Sequence, residues 1–250
     1  MLNDNSIFSD EIRDSFILHI PHSSLNIPSY VGYSDRALLD NEIIKTTDHK
    51  TDIIFDVDGV DKLIADFNRC FCDVERLDDN DEELYQQGKG FYYTKTDCDK
   101  PLRTEENKNH VYENYYLKHH KRLSNLVVGK LKQHNVVRIV DCHSFNDEPL
   151  LKDFNKYSNR PDICIGVCDY HTPKYLQDYF VNFFKKMGYS VLINNPYSGT
   201  IVPIEYYREN KNVESIMVEI NKKIYMDGDS INMNSVFYLK EKINELFNNI

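Results

Sequence analysis

The amino-acid sequence predicts a single α/β domain over residues 1–250, with a central mixed sheet flanked by helices. Three observations point there. Short apolar runs alternate along the chain with longer stretches of helical periodicity. Three of the apolar runs end directly on imidazole, carboxylate or hydroxyl residues, which is where open α/β sheets keep their sites. Neither an internal repeat nor a low-complexity linker interrupts the alternation.

The elements follow in chain order. "SFILHI" (15–20) reads as a buried strand that Pro21 stops. "SDRALLDNEIIKTTDHKTDIIFDV", from Ser34, reads as one or two helices with Ser34 as the N-cap. "DKLIADF" (61–67) and "CFCDVERL" (70–77) read as two strands, the second with Cys70, Cys72 and Val74 at alternate positions. Residues 78–109 are polar, acidic and too long for a simple turn, so a functional loop is expected, ordered by Phe91-Tyr92-Tyr93. Residues 114–134 carry Tyr116, Leu123, Val127 and Leu131 at helical spacing. "VVRIVDCHS" and "DICIGV" are strands, and "TPKYLQDYFVNFFKKMG" is a helix with Thr172 as cap, Pro173 at its first position and Gly188 at its end. "YSVLINNP" and "SIMVEI" complete the sheet, and "NSVFYLKEKINELFNN" is a C-terminal helix.

Composition narrows the function. A formal charge of −10 argues against a nucleic-acid binder, which needs clustered Lys and Arg. The apolar runs are far shorter than the ~20 residues of a membrane span, and the acidic start "MLNDNSIFSDEIRDS" has no signal-peptide pattern. A cytoplasmic protein is expected. Its six cysteines lie mostly in or beside apolar runs and form no CxxC pair, which predicts reduced thiols and no sulfur-rich metal site.

The chemistry gathers at three strand ends. "ILHIPHSS" presents His22 with Ser23 and Ser24, "VRIVDCHS" presents Asp141, His143 and Ser144, and "SIMVEIN" presents Glu219 and Asn221. Two histidines and a carboxylate from separate elements suit a catalytic zinc, which takes three protein ligands and keeps a position for water. Asp48 and Asp52 are both candidates for the carboxylate, and spacing does not choose between them; His49 competes. Arg69 and Arg76, seven apart, point to opposite faces of a regular strand, and only a bend lets both reach one cleft. There their guanidinium groups suit a carboxylate clamp and an oxyanion. The plainer reading pairs them with Asp73 and Glu75 on the surface.

The ordered set "PHSS", "TDHKTD", "NRCFCDVER", "GKGFYYTK", "YYLKHH", "DCHS", "PYSGT" and "MVEINKKIY" resembles the N-formylglutamate amidohydrolase family over about residues 16–227. The resemblance implies a phosphorylase/hydrolase-like mixed sheet of the zinc-carboxypeptidase and aspartoacylase kind, one Zn2+ per chain, and a small N-acyl amino acid as substrate. It implies His22, Asp48 and His143 as metal ligands, and it prefers Asp48 to Asp52. Glu219 falls at the general-base position, Arg69 at that of an oxyanion-binding arginine, and Arg76 at that of a carboxylate anchor. Ser23, Ser144 and Thr200 of the matched motifs are further candidate substrate contacts. Three departures stand out: Glu75 replaces the family's common Asn, Lys222 stands where Arg is usual, and "SGTIVPIEYY" lacks the usual Gly-Gly and Arg. Asp141 is a candidate outer partner of a ligand, and one of His119 and His120 a candidate lining residue. The alternatives are a catalytically silent protein of the same fold that binds an anionic ligand, and a carboxypeptidase-type peptidase.

Overall fold

A computed structural model describes residues 11–78 and 82–250. The expected domain's first ten residues and positions 79–81 of the expected loop lie outside that set. The framework is a six-stranded mixed sheet in the order β2-β1-β3-β6-β4-β5. Its strands are β1 (Phe16–Ile20), β2 (Asp61–Ile64), β3 (Val137–Phe145), β4 (Ile163–Gly166), β5 (Val191–Ile193) and β6 (Val213–Asn221). Neighbours are parallel except β4 against β6, which is antiparallel. This is the mixed sheet that the sequence predicts.

Around it lie α1 (Arg36–Thr46), α2 (Thr51–Ile54), α3 (Lys108–Val111), α4 (Leu117–Leu131), α5 (Lys174–Lys186) and α6 (Met233–Asn248). On one face of the sheet Phe16, Leu18, Ile20, Val140, Cys142, Ile216, Val218 and Ile220 pack in one cluster with α5 and α6 residues, among them Leu176, Phe180, Leu239 and Ile243. Each such side chain withdrawn from water contributes about 1.5–3 kcal/mol. The opposite face carries Ile17, Ile139 and Val213, which pack on Leu123 and Val127 of α4.

Strand side chains alternate between faces. The residues that continue the α4 face are therefore His19 after Ile17, Asp141 and His143 after Ile139, and Met217 and Glu219 after Ser215. Register places His19 opposite Asp141 and His143 opposite Glu219. The face that begins apolar at the N-terminal ends of these strands thus becomes ionisable at their C-terminal ends.

Four local expectations are corrected. "CFCDVERL" is no strand: the Asn68 carbonyl accepts from Phe71 and Cys72, and its side chain accepts from the Cys70 N–H, which folds the segment into turns. Asp35, not Ser34, caps α1 by accepting from Leu38 N. Thr172 gives its hydroxyl to the Ser215 carbonyl and so leaves α5 without a side-chain cap. The expected helix at 114–134 is built in pieces, with a π-helical turn at Tyr112–Tyr116 before α4. That turn aims the Tyr116 hydroxyl at the Arg76 carbonyl, 2.8 Å away.

Candidate active site

Each strand end delivers one group. Just beyond β1, the His22 carbonyl accepts from Asp48 N, which ties the strand end to the turn before α2. His143 ends the same face of β3. His22 Nδ1 and His143 Nδ1 lie 3.3 Å apart, and Asp48 Oδ2 is 3.0 Å from the second and 3.6 Å from the first. A tetrahedral ion with ligands at ~2.0–2.2 Å has donor–donor edges of about 3.3–3.6 Å, so the three atoms are set for one ion. All three residues are buried. Neither Asp52 nor His49 joins them; His49 Nε2 instead faces the Ile44 carbonyl at 3.0 Å.

A cavity of about 490 Å³ opens on these residues and is lined also by Arg69, Glu75, Arg76, Ser144, Glu219 and Lys222. The bend in residues 68–76 brings both arginines to it. Arg69 holds Asp73 Oδ2 through Nε and Nη2, at 3.1 and 2.9 Å. Arg76 reaches Glu82 at 3.3 Å and Asp73 at 3.8 Å, and its buried Nε has no hydrogen-bond partner among the described residues. The Tyr225 hydroxyl donates to Ser144 Oγ.

Asp73 is the hub that the sequence reading left as a surface ion-pair partner. Its carboxylate accepts from His22 Nε2 at 2.9 Å and from the Tyr93 hydroxyl at 2.7 Å, besides Arg69. A histidine whose outer nitrogen is held this way presents its inner nitrogen in a fixed orientation. The available signal was a carboxylate between two arginines in a segment rich in turn-forming Asn and Asp.

Behind the cavity stands a second group of donors. His19 Nδ1 is 2.8 Å from Asp141 Oδ1 and 3.6 Å from Glu75 Oε1, while His19 Nε2 meets His119 Nε2 at 2.9 Å. His143 Nε2 lies 3.1 Å from both Glu75 Oε2 and Asp141 Oδ1.

The electrostatics follow from burying so many acids. Burial opposes the charge on Asp48, but hydrogen bonds from His143 and His22 outweigh it and hold the carboxyl below its ordinary range. Burial likewise opposes Asp73, which Arg69 and His22 keep well below the carboxylate range. Burial lowers the pKa of His143, yet Glu75 and Asp141 reverse the shift and carry it well above the ordinary value. A field that retains protons on buried imidazoles is a field that attracts cations. Glu219 goes the other way: burial outweighs the pull of His143 and, helped by repulsion from Asp48 and Glu75, pushes it up to about 8. Burial lowers Lys222 to about 8, and its Nζ donates to Asn146 Oδ1.

The remaining candidates fall elsewhere. Ser23 is half-buried and does not line the cavity. Thr200 shares its hydroxyl with Ser215 Oγ at 2.6 Å and does not line the cavity. His119 is turned to His19, and His120 packs on Tyr116, so neither lines it.

The N-formylglutamate amidohydrolase family profile matches residues 14–226. Among solved structures the chain is similar to an N-formylglutamate amidohydrolase from Ralstonia eutropha JMP134, with TM-score 0.82, 19% identity, and coverage of 94% of this chain and 92% of that one. It is also similar to a gene product of Agrobacterium tumefaciens, with TM-score 0.66, 15% identity, and coverage of 95% and 92%. No curated protein sequence matches it. At these identities the solved structures speak for the fold alone, whereas the profile spans most of the chain and includes every donor described above. The chain belongs to the N-formylglutamate amidohydrolase family.

Proposed function

We propose that this protein is a zinc-dependent amidohydrolase that cleaves the amide bond of an N-acyl amino acid such as N-formylglutamate. The observation that carries the reading is the convergence of His22 Nδ1, Asp48 Oδ2 and His143 Nδ1 on a cavity shared with Glu219 and two arginines. Two imidazoles and a carboxylate from three elements fit a catalytic zinc, and Asp73 supplies the outer hydrogen bond such a ligand needs. When bound, the ion lowers the pKa of water towards ~7 and polarises a carbonyl.

The chain's own groups do the rest. Glu219, with a buried Oε2 that lacks a hydrogen-bond partner among the described residues, takes up a proton during hydrolysis and returns it to the leaving amine. Arg69, locked by Asp73, offers a fixed positive charge to the oxyanion. Arg76 anchors a substrate carboxylate, and Ser144 supplies a hydroxyl on the cavity wall. The six cysteines are unpaired, which supports a reducing, cytoplasmic setting.

Steady-state kinetics on a panel of N-acyl amino acids, run beside metal analysis, tests the reading. His143→Ala should lose the bound ion. Arg76→Ala should raise KM for carboxylate-bearing substrates by about 10–100-fold, the worth of a charged hydrogen bond, and change kcat little. An unchanged KM would return Arg76 to its ion pair with Glu82. Failure of the zinc-loaded protein on the whole panel would leave an anion-binding protein of this fold.

A further inference from the structure

The second donor group has a chemistry that the proposed reaction does not use. We propose that His19 Nδ1, Asp141 Oδ1, Glu75 and His143 Nε2 form a second divalent-cation site, joined to the first through the shared His143 ring. It rests on the proposed function only in that His143 Nδ1 serves the first ion.

His19, Glu75 and Asp141 gather one donor atom each, and His143 Nε2 lies against the two carboxylates. The separations are 2.8 Å for His19 to Asp141, 3.6 Å for His19 to Glu75, and 3.1 Å from His143 Nε2 to each carboxylate. His19 to Glu75 matches the ~3.3–3.6 Å edge of a tetrahedral ion, and the other three are shorter, so a bound ion would spread those donors by a few tenths of an ångström. An independent observation is His143 Nε2 itself: it is buried, aimed between the two carboxylates, and aligned for a hydrogen bond with neither. A ligand bond asks only for the lone-pair direction, not for an N–H pointed at one oxygen.

The outer contacts agree. A ligating histidine gives its other N–H to an acceptor. With His19 Nδ1 on an ion, His19 Nε2 carries the proton and donates to His119 Nε2, 2.9 Å away. His22 makes the same arrangement with Asp73 at the first site. Two nitrogens and two carboxylate oxygens favour zinc or cobalt over the oxygen-seeking magnesium and calcium.

Charge orders the two sites. Asp48 and Asp73 lie against Arg69, and Asp73 and Glu82 against Arg76, whereas Glu75 and Asp141 have only histidine partners among the described residues. The two ions would share the His143 ring, so the second enters against the positive charge of the first. It therefore binds at least ~10-fold more weakly.

The test counts ions. Metal-free full-length protein is equilibrated with Zn(II) at increasing free concentration, and bound metal is measured for wild type, His22→Ala and Glu75→Gln. Glu75→Asn serves as a second variant at that position, and thermal melting checks that each protein is folded. Two ions in wild type, binding in separate steps, with one in each variant, sustain the proposal. Counts of one, none and one would leave only the first site, overturning this proposal and sparing the proposed function. Counts of one, one and none would place the sole ion among His19, Glu75 and Asp141, and both readings would fall.

Discussion

Two clusters of the same donor types flank the His143 ring, and they differ in what surrounds them. His22 and Asp48 open on the cavity beside Glu219, Arg69 and Arg76. His19 and Asp141 are buried on β1 and β3 beside His119, do not line the cavity themselves, and meet it through Glu75 and His143. An ion held in the first meets substrate, a proton carrier and fixed positive charge. An ion held in the second meets only protein. Donor inventory makes a binding site; a neighbouring acid and access for a substrate make a reactive one.

The sharpest way to break that contrast is to take the proton carrier from the first cluster and leave its donors. Glu219→Gln keeps the side-chain volume and touches no donor atom, so the ion should stay while turnover falls by ~10²–10⁴-fold. Metal content and single-turnover rate, measured on the same preparation, check this. Loss of the ion would make Glu219 a ligand and reopen the place of Asp48.

The next test removes positive charge from the cavity. Lys222 lies buried in its wall with a pKa lowered from 10.5 to about 8, chiefly by burial. Its folded pKa is below its unfolded one, so folding at neutral pH carries the cost of a buried ammonium. The sign follows: the penalty is complete below pH 8, shrinks as pH rises through the window from 8 to 10.5, and is gone above it. Lys222→Met should therefore stabilise the protein at pH 7 by up to ~3 kcal/mol, less the lost bond to Asn146, with the gain fading as pH rises from 8 to 10.5. Urea denaturation at pH 7 and 10.5 measures it. A destabilised variant at pH 7 would mean that an acid in the cavity pairs with Lys222 in solution.

Sequence made the first cluster legible because it lies at strand ends. An apolar run that stops on His or Asp exposes that residue at the sheet edge whatever the loops do, so His22, His143 and Glu219 could be read locally. The second cluster was harder to see. His19 sits inside the apolar run "FILHI", where a buried histidine looks like any core residue, and its partner His119 comes from a helix 100 positions away. "CFCDVERL" misled for a related reason: its alternating apolar residues do face a core, but Asn68 spends its hydrogen bonds on a turn. Side-chain to backbone chemistry overrode periodicity there, and it put Asp73 at the centre of the site. The sheet itself was readable strand by strand, since strands buried on both faces are nearly continuous apolar runs.

The smallest expected effect probes how far the two clusters are independent. The Tyr93 hydroxyl donates to Asp73 Oδ2 at 2.7 Å, and Asp73 in turn holds His22. Tyr93→Phe removes one of the donors on that carboxylate but leaves Arg69 and His22 in place, so Asp73 remains charged and buried. A hydrogen bond to a charged group is worth ~1.5–3 kcal/mol, and stability should fall by about the lower figure. The weakened carboxylate grips His22 less firmly, so affinity at the first site should drop only ~2–10-fold, less than outer-partner mutations usually cost. His19 gives its outer hydrogen bond to His119 and has no hydrogen bond to Asp73 among the described residues, so the weaker zinc-binding step should not move. Zn(II) titration of wild type and Tyr93→Phe compares both steps at once. Equal weakening of both steps would show that the shared His143 ring transmits the change, and that the two clusters act as one site with two positions.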